Sequence, residues 1–599
     1  MRSTSSWLIF GLPAVLCVAW SVHAGKDVNW DQLNYHYYLP FELVAGRLSQ
    51  DFFAASAQSY LNPVGYLPFY FMVAAGWHSV LVSIVLAAAH SVSIAFLYLI
   101  AYRLFPHLPA RDRIIFSCLA AALGAASGVY WMTVGSSFLD PLLVPLLLGG
   151  LLLLLGGRHA MLAGALFGAA AALKYSNVFF AIAALPLALA ISWRASLAYV
   201  AGGSMAVLLL AGPWLLALQR EFGNPVFPLM NAWFRSPDAL PINLISERFG
   251  VGGPLALLAF PFRMATLDPG VYSENFAPDL RFAALLLAAA WLAVRRGALQ
   301  RDDWRVLVFF AAALALWLAT SANARYGLVV LLLAGLCLAR MVERLLPTRA
   351  ARVVLGVLLV VQVGIVFIAS PPRWFLSETW SRHWFPYAVP ERALREPALY
   401  LTVEILPMAV IAPFLHPQSS LVNFRGQHSL PADSPKLVKL LEGHRGHVRV
   451  LGRELQVQTY DARLRRLGYR VDPTDCFDIP WRPDDDDALS RAANGFAGGP
   501  KSAEPLSLAS CALLPAPRDP ADLERERRAS AVFDRLEKEC PRLFRGQTAV
   551  TEAFGSGWSR HYNGLDARLE LSGDRLSLNR YRADVQVDLG SPSAPAACP

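Results

Sequence analysis

The chain has 599 residues, of which 55% are hydrophobic and 16% are charged, whereas an average globular chain carries roughly 25% charged residues. This composition excludes a disordered chain, a collagen, a coiled coil and a wholly soluble protein. The formal net charge of +9 arises from 47 arginines and 6 lysines against 44 acidic residues. Many of the arginines lie in short gaps between apolar blocks, which indicates membrane topology, so we predict no nucleic-acid partner.

Eleven apolar blocks are long enough to cross or nearly cross a bilayer, for which a helix needs about 20 residues. They predict a polytopic α-helical membrane protein that contacts membrane lipids. The two blocks at 160–173 and 178–192 are short and are also compatible with one broken hairpin. The blocks lie near 7–24, 78–104, 114–134, 138–155, 160–173, 178–192, 196–218, 278–294, 304–320, 326–346 and 352–370.

The arginines also predict the orientation of the chain. If the N-terminus is cytoplasmic, the inner gaps hold 14 arginines and only four acidic residues, as the positive-inside rule requires. The outer segments are then 25–77, 219–277 and 371–599. The inner arginines are Arg2, Arg103, Arg111, Arg113, Arg158, Arg194, Arg295, Arg296, Arg301, Arg305, Arg340, Arg344, Arg349 and Arg352.

The first block has a second interpretation. Val22-His23-Ala24 resembles the small-residue site at which a signal peptidase cleaves. A cleaved signal peptide and a retained span both leave residue 25 outside, so the topology of the remaining chain is the same in either case.

The first outer segment begins with a dense group of polar and aromatic residues. Asp27, Asp31 and His36 follow the first span within a few residues, interleaved with Trp30 and Tyr35. A carboxylate just outside the bilayer can act as a general base or bind a metal. The aromatic rings can stack on sugars, or they can form the aromatic belt at the membrane interface.

The stretch from Trp30 to Pro40 reads Trp-Asp-Gln-Leu-Asn-Tyr-His-Tyr-Tyr-Leu-Pro. It resembles the first outer loop of GT-C glycosyltransferases, which include protein mannosyltransferases, lipid A aminoarabinose transferases and uncharacterised bacterial relatives. Members of that family keep a catalytic aspartate just outside the first span, usually with a tyrosine nearby, and Asp31 and Tyr35 match this pattern. Several members have an Asp-Glu pair where this chain has Asp31-Gln32.

Further features of the same family occur in order along residues 1–370, and each falls on the predicted outer side. The resemblance therefore implies a GT-C-like transmembrane domain over 1–370, which a periplasmic α/β domain follows over 371–599. These features are Asp140 before Pro141, the Gly-rich stretch that ends in Lys174-Tyr175-Ser176, the Gly-Asn-Pro loop at 223–231 and the Arg325-Tyr326 pair.

The resemblance implies transfer of a sugar from a polyprenyl-phosphate carrier to an acceptor hydroxyl, with inversion of the anomeric carbon. The acceptor is a lipid, a glycan or a protein. Some family members need a divalent metal cation, although no residue spacing here indicates one. The implied catalytic residues are Asp31, as general base, and Asp140, and the implied substrate-binding residues are Asp27, Tyr35, His36, Lys174, Arg325 and Tyr326.

Each of these residues also has a structural interpretation. Asp31 can cap a loop helix, and Asp140, which is followed by a proline, can cap the next span. Lys174 and Arg325 can reach the lipid headgroups without any substrate, and a buried histidine such as His36 is often only a hydrogen-bonded structural residue.

Residues 371–599 have shorter apolar runs and more Pro, Asp and Arg than the membrane half. The pattern predicts a buried strand at 405–413, a helix capped by Ser434, a strand at 447–451 and irregular Pro-rich sequence around 480–520. Two disulfides in any of three pairings are compatible with an exported domain, and no spacing indicates zinc. The cysteines are Cys476, Cys511, Cys540 and Cys598.

Other functions remain open at this point. A transporter or flippase would place charged residues in mid-span, where this chain has almost none. An O-antigen-type ligase or polymerase would carry its active loop late in the chain, and a non-catalytic scaffold would tolerate replacement of Asp31 and Asp140. The arginine-rich, Ala- and Leu-rich composition is typical of a GC-rich bacterial genome, which places the chain in the inner membrane as an enzyme of envelope assembly.

Overall fold

The computed structural model shows a bundle of apolar helices followed by a region of mixed helices and sheets. This is the helical membrane fold with a C-terminal α/β region that the sequence predicts. The described residues are 3–245, 249–295, 299–427, 429–453, 457–498, 506–554, 556–580, 585–591, 594–595 and 598. Of the predicted inner arginines, Arg2 and Arg296 lie outside them.

Every predicted apolar block contains a helix. The block at 114–134 is divided into two helices, and so is the block at 196–218. The helices of the membrane half are α1 (Ser3–His23), α2 (Tyr38–Val44), α3 (Leu67–Ala74), α4 (Ser79–Leu104), α5 (Ala110–Ala125), α6 (Gly128–Thr133), α7 (Leu139–Gly156), α8 (Ala160–Leu173), α9 (Val178–Leu189), α10 (Trp193–Leu210), α11 (Gly212–Phe222), α12 (Asn231–Phe234), α13 (Pro254–Arg263), α14 (Arg281–Val294), α15 (Arg301–Thr320), α16 (Leu328–Leu345) and α17 (Thr348–Ala369).

Five helices in the described part of the chain are long and apolar enough to cross a membrane: α4, α7, α10, α15 and α17. Shorter apolar helices, among them α8, α9 and α14, lie beside them. The short blocks at 160–173 and 178–192 are two separate helices, joined by a 3-10 turn over Tyr175–Asn177.

Small residues bring two of these helices close together. A Cβ atom added at Gly164 or Gly168 of α8 would collide with the backbone of α10, and one added at Gly202 of α10 would collide with α8. Close backbone approach at small residues is the usual way in which apolar helices associate within a membrane. The Gly-rich stretch before Lys174 therefore packs α8 onto α10 and fixes the position at which α8 ends.

Ion pairs join the ends of several helices, next to the gaps between apolar blocks, on one side of the bundle. Arg340 of α16 donates from Nε and Nη2 to the two carboxylate oxygens of Asp303, at 2.7 and 2.8 Å. Its Nη1 reaches Glu343 at 2.5 Å, and Glu343 also contacts His107 Nε2 at 2.8 Å. We call these four residues the Arg340 cluster. It joins three gaps that the arginine distribution places on the same, inner side.

The first outer segment is tied to the chain that leaves the last helix. Strand β1 (Lys26–Val28) pairs antiparallel with β2 (Leu376–Glu378). The buried guanidinium of Arg373 donates to the carbonyl oxygens of Gly25, Val134 and Ser21 at 2.5 to 3.0 Å. These contacts bring the loops after the first, third and last predicted spans together.

The strands after β2 form a five-stranded sheet, in the order β4-β3-β5-β7-β6, and a six-stranded antiparallel sheet that runs from β13 to β8 in order. In the first sheet β3 is parallel to β4 and β5, and β7 is antiparallel to β5 and β6. The strands are β3 (Leu399–Thr402), β4 (Ser420–Asn423), β5 (Val448–Gly452), β6 (Tyr469–Ile479), β7 (Leu508–Pro515), β8 (Thr551–Phe554), β9 (Gly557–Tyr562), β10 (Ala567–Ser572), β11 (Arg575–Arg580), β12 (Val585–Ser591) and β13 (Ala594–Pro595).

Helices accompany both sheets. Ala529, Phe533 and Leu536 of α22 bury their side chains in one apolar core with the six-stranded sheet. The helices of this region are α18 (Glu391–Arg395), α19 (Pro435–Gly443), α20 (Val457–Leu464), α21 (Ala488–Ala497), α22 (Pro520–Glu539) and α23 (Pro541–Phe544).

The four cysteines form two disulfides. Cys476–Cys511 joins β6 to β7, and Cys540–Cys598 ties the end of α22 to the last described residue. Of the three pairings left open by the sequence, this is the one that the fold brings together.

Two local predictions for this region are confirmed and two are wrong. The helix at Ser434 and the strand at 447–451 are present as α19 and β5. The segment 405–413 is not a strand, because its prolines remove backbone donors; residues Ala409–Phe414 form a buried 3-10 helix instead. The segment 480–520 is not irregular throughout, since it contains α21 and β7.

Candidate active site

Asp31 lies immediately before a π-helical turn over Gln32–His36. The side-chain oxygen of Asn29 accepts a hydrogen bond from the Gln32 backbone N–H at 2.8 Å, which fixes the start of this turn. Single π-helical turns occur frequently at functional sites. Here the turn holds Asp31 at the end of the helix bundle, with its side chain 13% exposed.

The partner of Asp31 is an arginine 294 residues further along the chain. Arg325 donates from Nη1 to Asp31 Oδ2. The centre of its guanidinium lies 4.5 Å from the ring of Phe138 and 5.0 Å from the ring of Trp374. Its Nε is buried and has no hydrogen-bond partner among the described residues. The guanidinium is therefore positioned by one carboxylate and two rings and retains a donor.

A second ion pair lies beside the first. Lys174 Nζ donates to both carboxylate oxygens of Asp140, at 2.6 and 2.7 Å, and lies 4.5 Å from the ring centre of Tyr326. Asp140 is in the first turn of α7, and Lys174 directly follows α8. Asp31, Arg325, Asp140 and Lys174 are called the Asp31 cluster below.

Electrostatic coupling joins the two pairs. Burial alone would raise the pKa of Asp31, but the Arg325 guanidinium, with His36 and Lys174, outweighs it and holds this pKa below its ordinary value. Burial, with Arg325 as a like charge, lowers the pKa of Lys174 even though Asp140 opposes the shift. Each pair thus influences the charge state of the other.

His36 lies beneath this cluster in a polar and aromatic setting. Its Nδ1 is 2.8 Å from the hydroxyl oxygen of Ser137, and its ring stacks on Tyr66 with 4.6 Å between the centroids. Burial lowers the pKa of His36 to about 3, so the ring is neutral at physiological pH. Tyr35 packs edge-on against both His36 and Tyr66.

Asp27 and Gln32 serve the architecture around the cluster. Asp27 is fully buried in β1 and accepts a 2.6 Å hydrogen bond from the Asn29 side chain; burial raises its pKa to about 6. Gln32, at the position of the glutamate in several GT-C members, donates to Ser137 at 3.0 Å and accepts from Trp384 Nε1 at 3.0 Å. Its amide links the loop to two other segments.

The structure places the predicted residues in two groups. Asp31, Asp140, Lys174 and Arg325 form the cluster itself. Tyr326 and Tyr35 pack around the cluster, His36 and Asp27 lie in the buried layer beneath it, and the role of each stays a prediction.

Sequence reasoning missed four residues of this region: Tyr66, Ser137, Phe138 and Trp374. Ser137 lies three residues before Asp140, and Trp374 follows the last helix of the membrane half after Ser-Pro-Pro-Arg. An aromatic residue at the outer end of a span was therefore an available signal for Trp374. Tyr66 had none, because it lies in an apolar outer stretch.

The donor set of the cluster does not fit a divalent metal. The described residues contain no group of three or more His, Cys, Asp or Glu side chains close enough to hold one. Both carboxylates are already paired with cations, and the His36 ring nitrogen faces a serine hydroxyl. Carboxylates with open coordination sites are what a divalent ion would need.

No protein-family model matches this chain, and no curated protein matches it in sequence. The structure is similar to the crystal structure of ArnT from Cupriavidus metallidurans bound to undecaprenyl phosphate. The two chains are 13% identical, with a TM-score of 0.44, and the match covers 78% of this chain and 96% of that chain. The similarity concerns the fold alone.

Proposed function

We propose that this protein is a glycosyltransferase of the outer face of the bacterial inner membrane. It moves a sugar from a polyprenyl-phosphate carrier to an acceptor hydroxyl with inversion. The observation that supports this most directly is the Asp31–Arg325 pair, in which a buried carboxylate is held by a guanidinium that keeps an unpartnered donor. A base and a phosphate-binding cation, the two groups this reaction needs, are thus adjacent.

The donor phosphate is the natural competitor for Arg325. A guanidinium can bind a phosphate with two parallel hydrogen bonds, and the free Nε of Arg325 provides a second donor beside Nη1. The rings of Phe138 and Trp374 hold the guanidinium while its hydrogen-bond partner changes. Binding of the phosphate then weakens the ion pair with Asp31.

This exchange would activate the base. In the present arrangement Arg325 lowers the pKa of Asp31, which makes the carboxylate a weak base. Once the phosphate takes over the guanidinium, burial becomes the dominant influence, and burial raises the pKa of a carboxylate. Asp31 would therefore become basic only when the donor is in place.

Chemistry would follow at the anomeric carbon. Asp31 takes the proton of the acceptor hydroxyl, and the hydroxyl oxygen attacks the anomeric carbon from the face opposite the phosphate. The bond between the anomeric carbon and the phosphate oxygen breaks. Lys174 supplies a second positive charge for the leaving phosphate. Asp140 keeps Lys174 oriented toward the cluster through two hydrogen bonds.

The test compares wild type with Asp31→Asn in lipid nanodiscs, with radiolabelled polyprenyl-phosphate sugars and an envelope extract as acceptor. We expect transfer by wild type and a loss of about 100-fold or more in the variant. The matched control is Asp268→Asn, an exposed aspartate of another outer segment that pairs with Arg263 at 3.9 Å. Transfer that persists in Asp31→Asn would reject Asp31 as the base, and equal loss in both variants would reject a specific role.

A further inference from the structure

A polar cavity of about 700 Å³ is lined by residues of the region after the last membrane helix and by Trp30. Among the described residues its lining includes Trp30 and Phe375. Trp30 is the chain neighbour of Asp31, and Phe375 is the chain neighbour of Trp374, whose ring faces Arg325. The volume is within the range of small-molecule binding sites, which is about 300–1,000 Å³.

The rest of the lining mixes charged, polar and apolar residues. It includes the arginines Arg425, Arg453 and Arg463 and the glutamates Glu404 and Glu552. Among the described lining residues the three guanidinium groups outnumber the two carboxylates. The membrane half has an apolar groove of about 1,030 Å³, lined mainly by residues of α1, α4, α5 and α17.

The two described carboxylates pair with two of the three arginines. Arg425 Nε lies 2.6 Å from Glu552, and Arg453 Nε lies 3.9 Å from Glu404. Arg463 donates from Nη1 to the Val403 carbonyl at 2.9 Å and has no carboxylate within ion-pair distance among the described residues. A half-buried guanidinium whose described polar contact is one carbonyl oxygen, with the Tyr460 ring centre 6.0 Å away, is suited to bind an added anion.

We infer that this cavity binds the acceptor and that the acceptor is an anionic saccharide, bearing a carboxylate or a phosphate. The inference rests on the proposed transferase function and adds the class of its second substrate. The sugar ring packs on Trp30 and Phe375, because aromatic faces bind the apolar faces of sugars. Its anionic group reaches Arg463 and Arg425, and a hydroxyl beside Trp30 faces the Asp31 cluster.

The first experiment needs no variant. Binding is measured by isothermal titration calorimetry on the full-length protein in nanodiscs, with two matched pairs of probes. Trigalacturonate is compared with maltotriose for a carboxylate, and glucose 6-phosphate with glucose for a phosphate. We expect at least one anionic probe to bind about tenfold or more tightly than its uncharged partner, and salt to weaken that binding. Equal affinity in both pairs, or no binding, overturns the proposal.

Arg463→Gln then locates the binding site. We expect it to weaken the anionic probe about tenfold and to leave the uncharged probe unchanged. Arg445→Gln is the matched control, because Arg445 is 78% exposed in the same region and is not part of this lining. An equal effect of the two variants, or no effect of Arg463→Gln, overturns the assignment to this cavity. Trp30→Phe, which keeps a ring at this position, retains anion selectivity if the arginines provide it.

Asp31→Asn separates this inference from the proposed function. In the binding assay this variant is expected to match wild type, because the base is not needed for acceptor binding. Selective anion binding together with undiminished transfer by Asp31→Asn would reject the catalytic assignment and keep the cavity. Transfer that depends on Asp31, without any preference for anionic probes, would reject the cavity and keep the transferase.

Discussion

The two ends of the helix bundle each carry buried ion pairs, and they use their arginines differently. In the Arg340 cluster the guanidinium donates hydrogen bonds from Nε and Nη2 to Asp303 and from Nη1 to Glu343. In the Asp31 cluster Arg325 makes one hydrogen bond to a carboxylate and keeps Nε without a partner among the described residues. A fully engaged guanidinium fastens helices together, whereas a partly engaged one can accept a ligand.

The Arg340–Asp303 pair is also less exposed than the two ion pairs of the Asp31 cluster. The side chains of Arg340 and Asp303 are 4% and 1% exposed, whereas Lys174 is 17% exposed. The Asp31 cluster is also bordered by aromatic rings, and Trp30, the chain neighbour of Asp31, lines a polar cavity, whereas the small cavity beside Arg340 is lined mostly by apolar side chains. Similar chemical groups therefore serve stability at one end and, as we propose, catalysis at the other.

The largest expected effects come from removing the arginine at each end. Arg325→Gln should lower transfer by about 100-fold, because a cation is lost from the reaction site, and should cost less thermal stability than Arg340→Gln, because Arg325 makes one described hydrogen bond to a carboxylate where Arg340 makes three. Arg340→Gln should destabilise the fold by about 3–5 kcal/mol, because it leaves Asp303 and Glu343 buried without their partner. Transfer assays and thermal unfolding of both variants in nanodiscs measure the two effects.

The comparison fails if the two variants behave alike. Arg263→Gln is the control for both, since this outer arginine is 54% exposed and its only described ion pair is 3.9 Å long. Loss of stability in Arg325→Gln equal to that in Arg340→Gln would show that the Asp31–Arg325 pair is a structural clamp like the other.

A smaller effect is expected at the second cation. Lys174→Met should lower transfer about tenfold to a hundredfold, since one charged hydrogen bond to the phosphate contributes about 1.5–3 kcal/mol. The variant leaves Asp140 without its two hydrogen bonds, so Lys174→Arg is measured alongside and should restore much of the activity. Lys439→Met, an exposed lysine of α19, is the matched control. Unchanged transfer in Lys174→Met would restrict phosphate binding to Arg325.

The sequence could predict which residue types form the candidate site and that they share one side of the bundle, because the distribution of apolar residues and arginines indicates both. Apolar blocks mark the helices, and arginines mark the inner gaps, so the amino-acid order alone assigns Asp31, Asp140, Lys174 and Arg325 to one face. The pairing between them could not be predicted. Asp31 and Arg325 are 294 residues apart, and only the packing of helices between them decides which carboxylate meets which cation.

In residues 371–599 some local elements could be predicted, whereas their packing could not. The local elements at Ser434 and 447–451 could be predicted from a cap and an alternating pattern. The buried segment 405–413 could not, because its apolar composition resembles a strand while its prolines favour the 3-10 helix that is present. The polar cavity lined by Trp30 and Phe375 depends on which surfaces of the sheets meet, and no local sequence pattern predicts that packing.

The pH dependence of transfer tests the electrostatic coupling between the two pairs. In wild type the acid limb of kcat/KM reports Asp31, whose pKa lies below its ordinary value, and the alkaline limb reports Lys174, whose pKa lies below its ordinary value. Arg325 lowers both pKa values. In Arg325→Gln, assayed at higher enzyme concentration, both limbs should therefore move to higher pH. Limbs that stay in place would show that Arg325 does not set the charge state of either residue.

The smallest expected effect concerns His36, which burial holds neutral. Its pKa is lowered to about 3 in the folded protein, so between that pH and the ordinary value near 6.5 the unfolded chain binds a proton that the folded chain does not. Stability contributed by neutral His36 is then present above pH 6.5 and is lost as the pH falls, by about 1.4 kcal/mol for each pH unit. His36→Gln keeps a polar partner for Ser137 without titrating.

The thermal stability of His36→Gln should therefore fall less than that of wild type between pH 7.5 and pH 5.5. His447→Gln, at an exposed histidine of the outer region, should show the full wild-type loss. If His36→Gln loses as much stability on acidification as wild type, His36 is protonated in the folded protein, and a third cation belongs to the Asp31 cluster. Phosphate binding would then depend on three positive charges there, with Arg325 and Lys174 only part of the set.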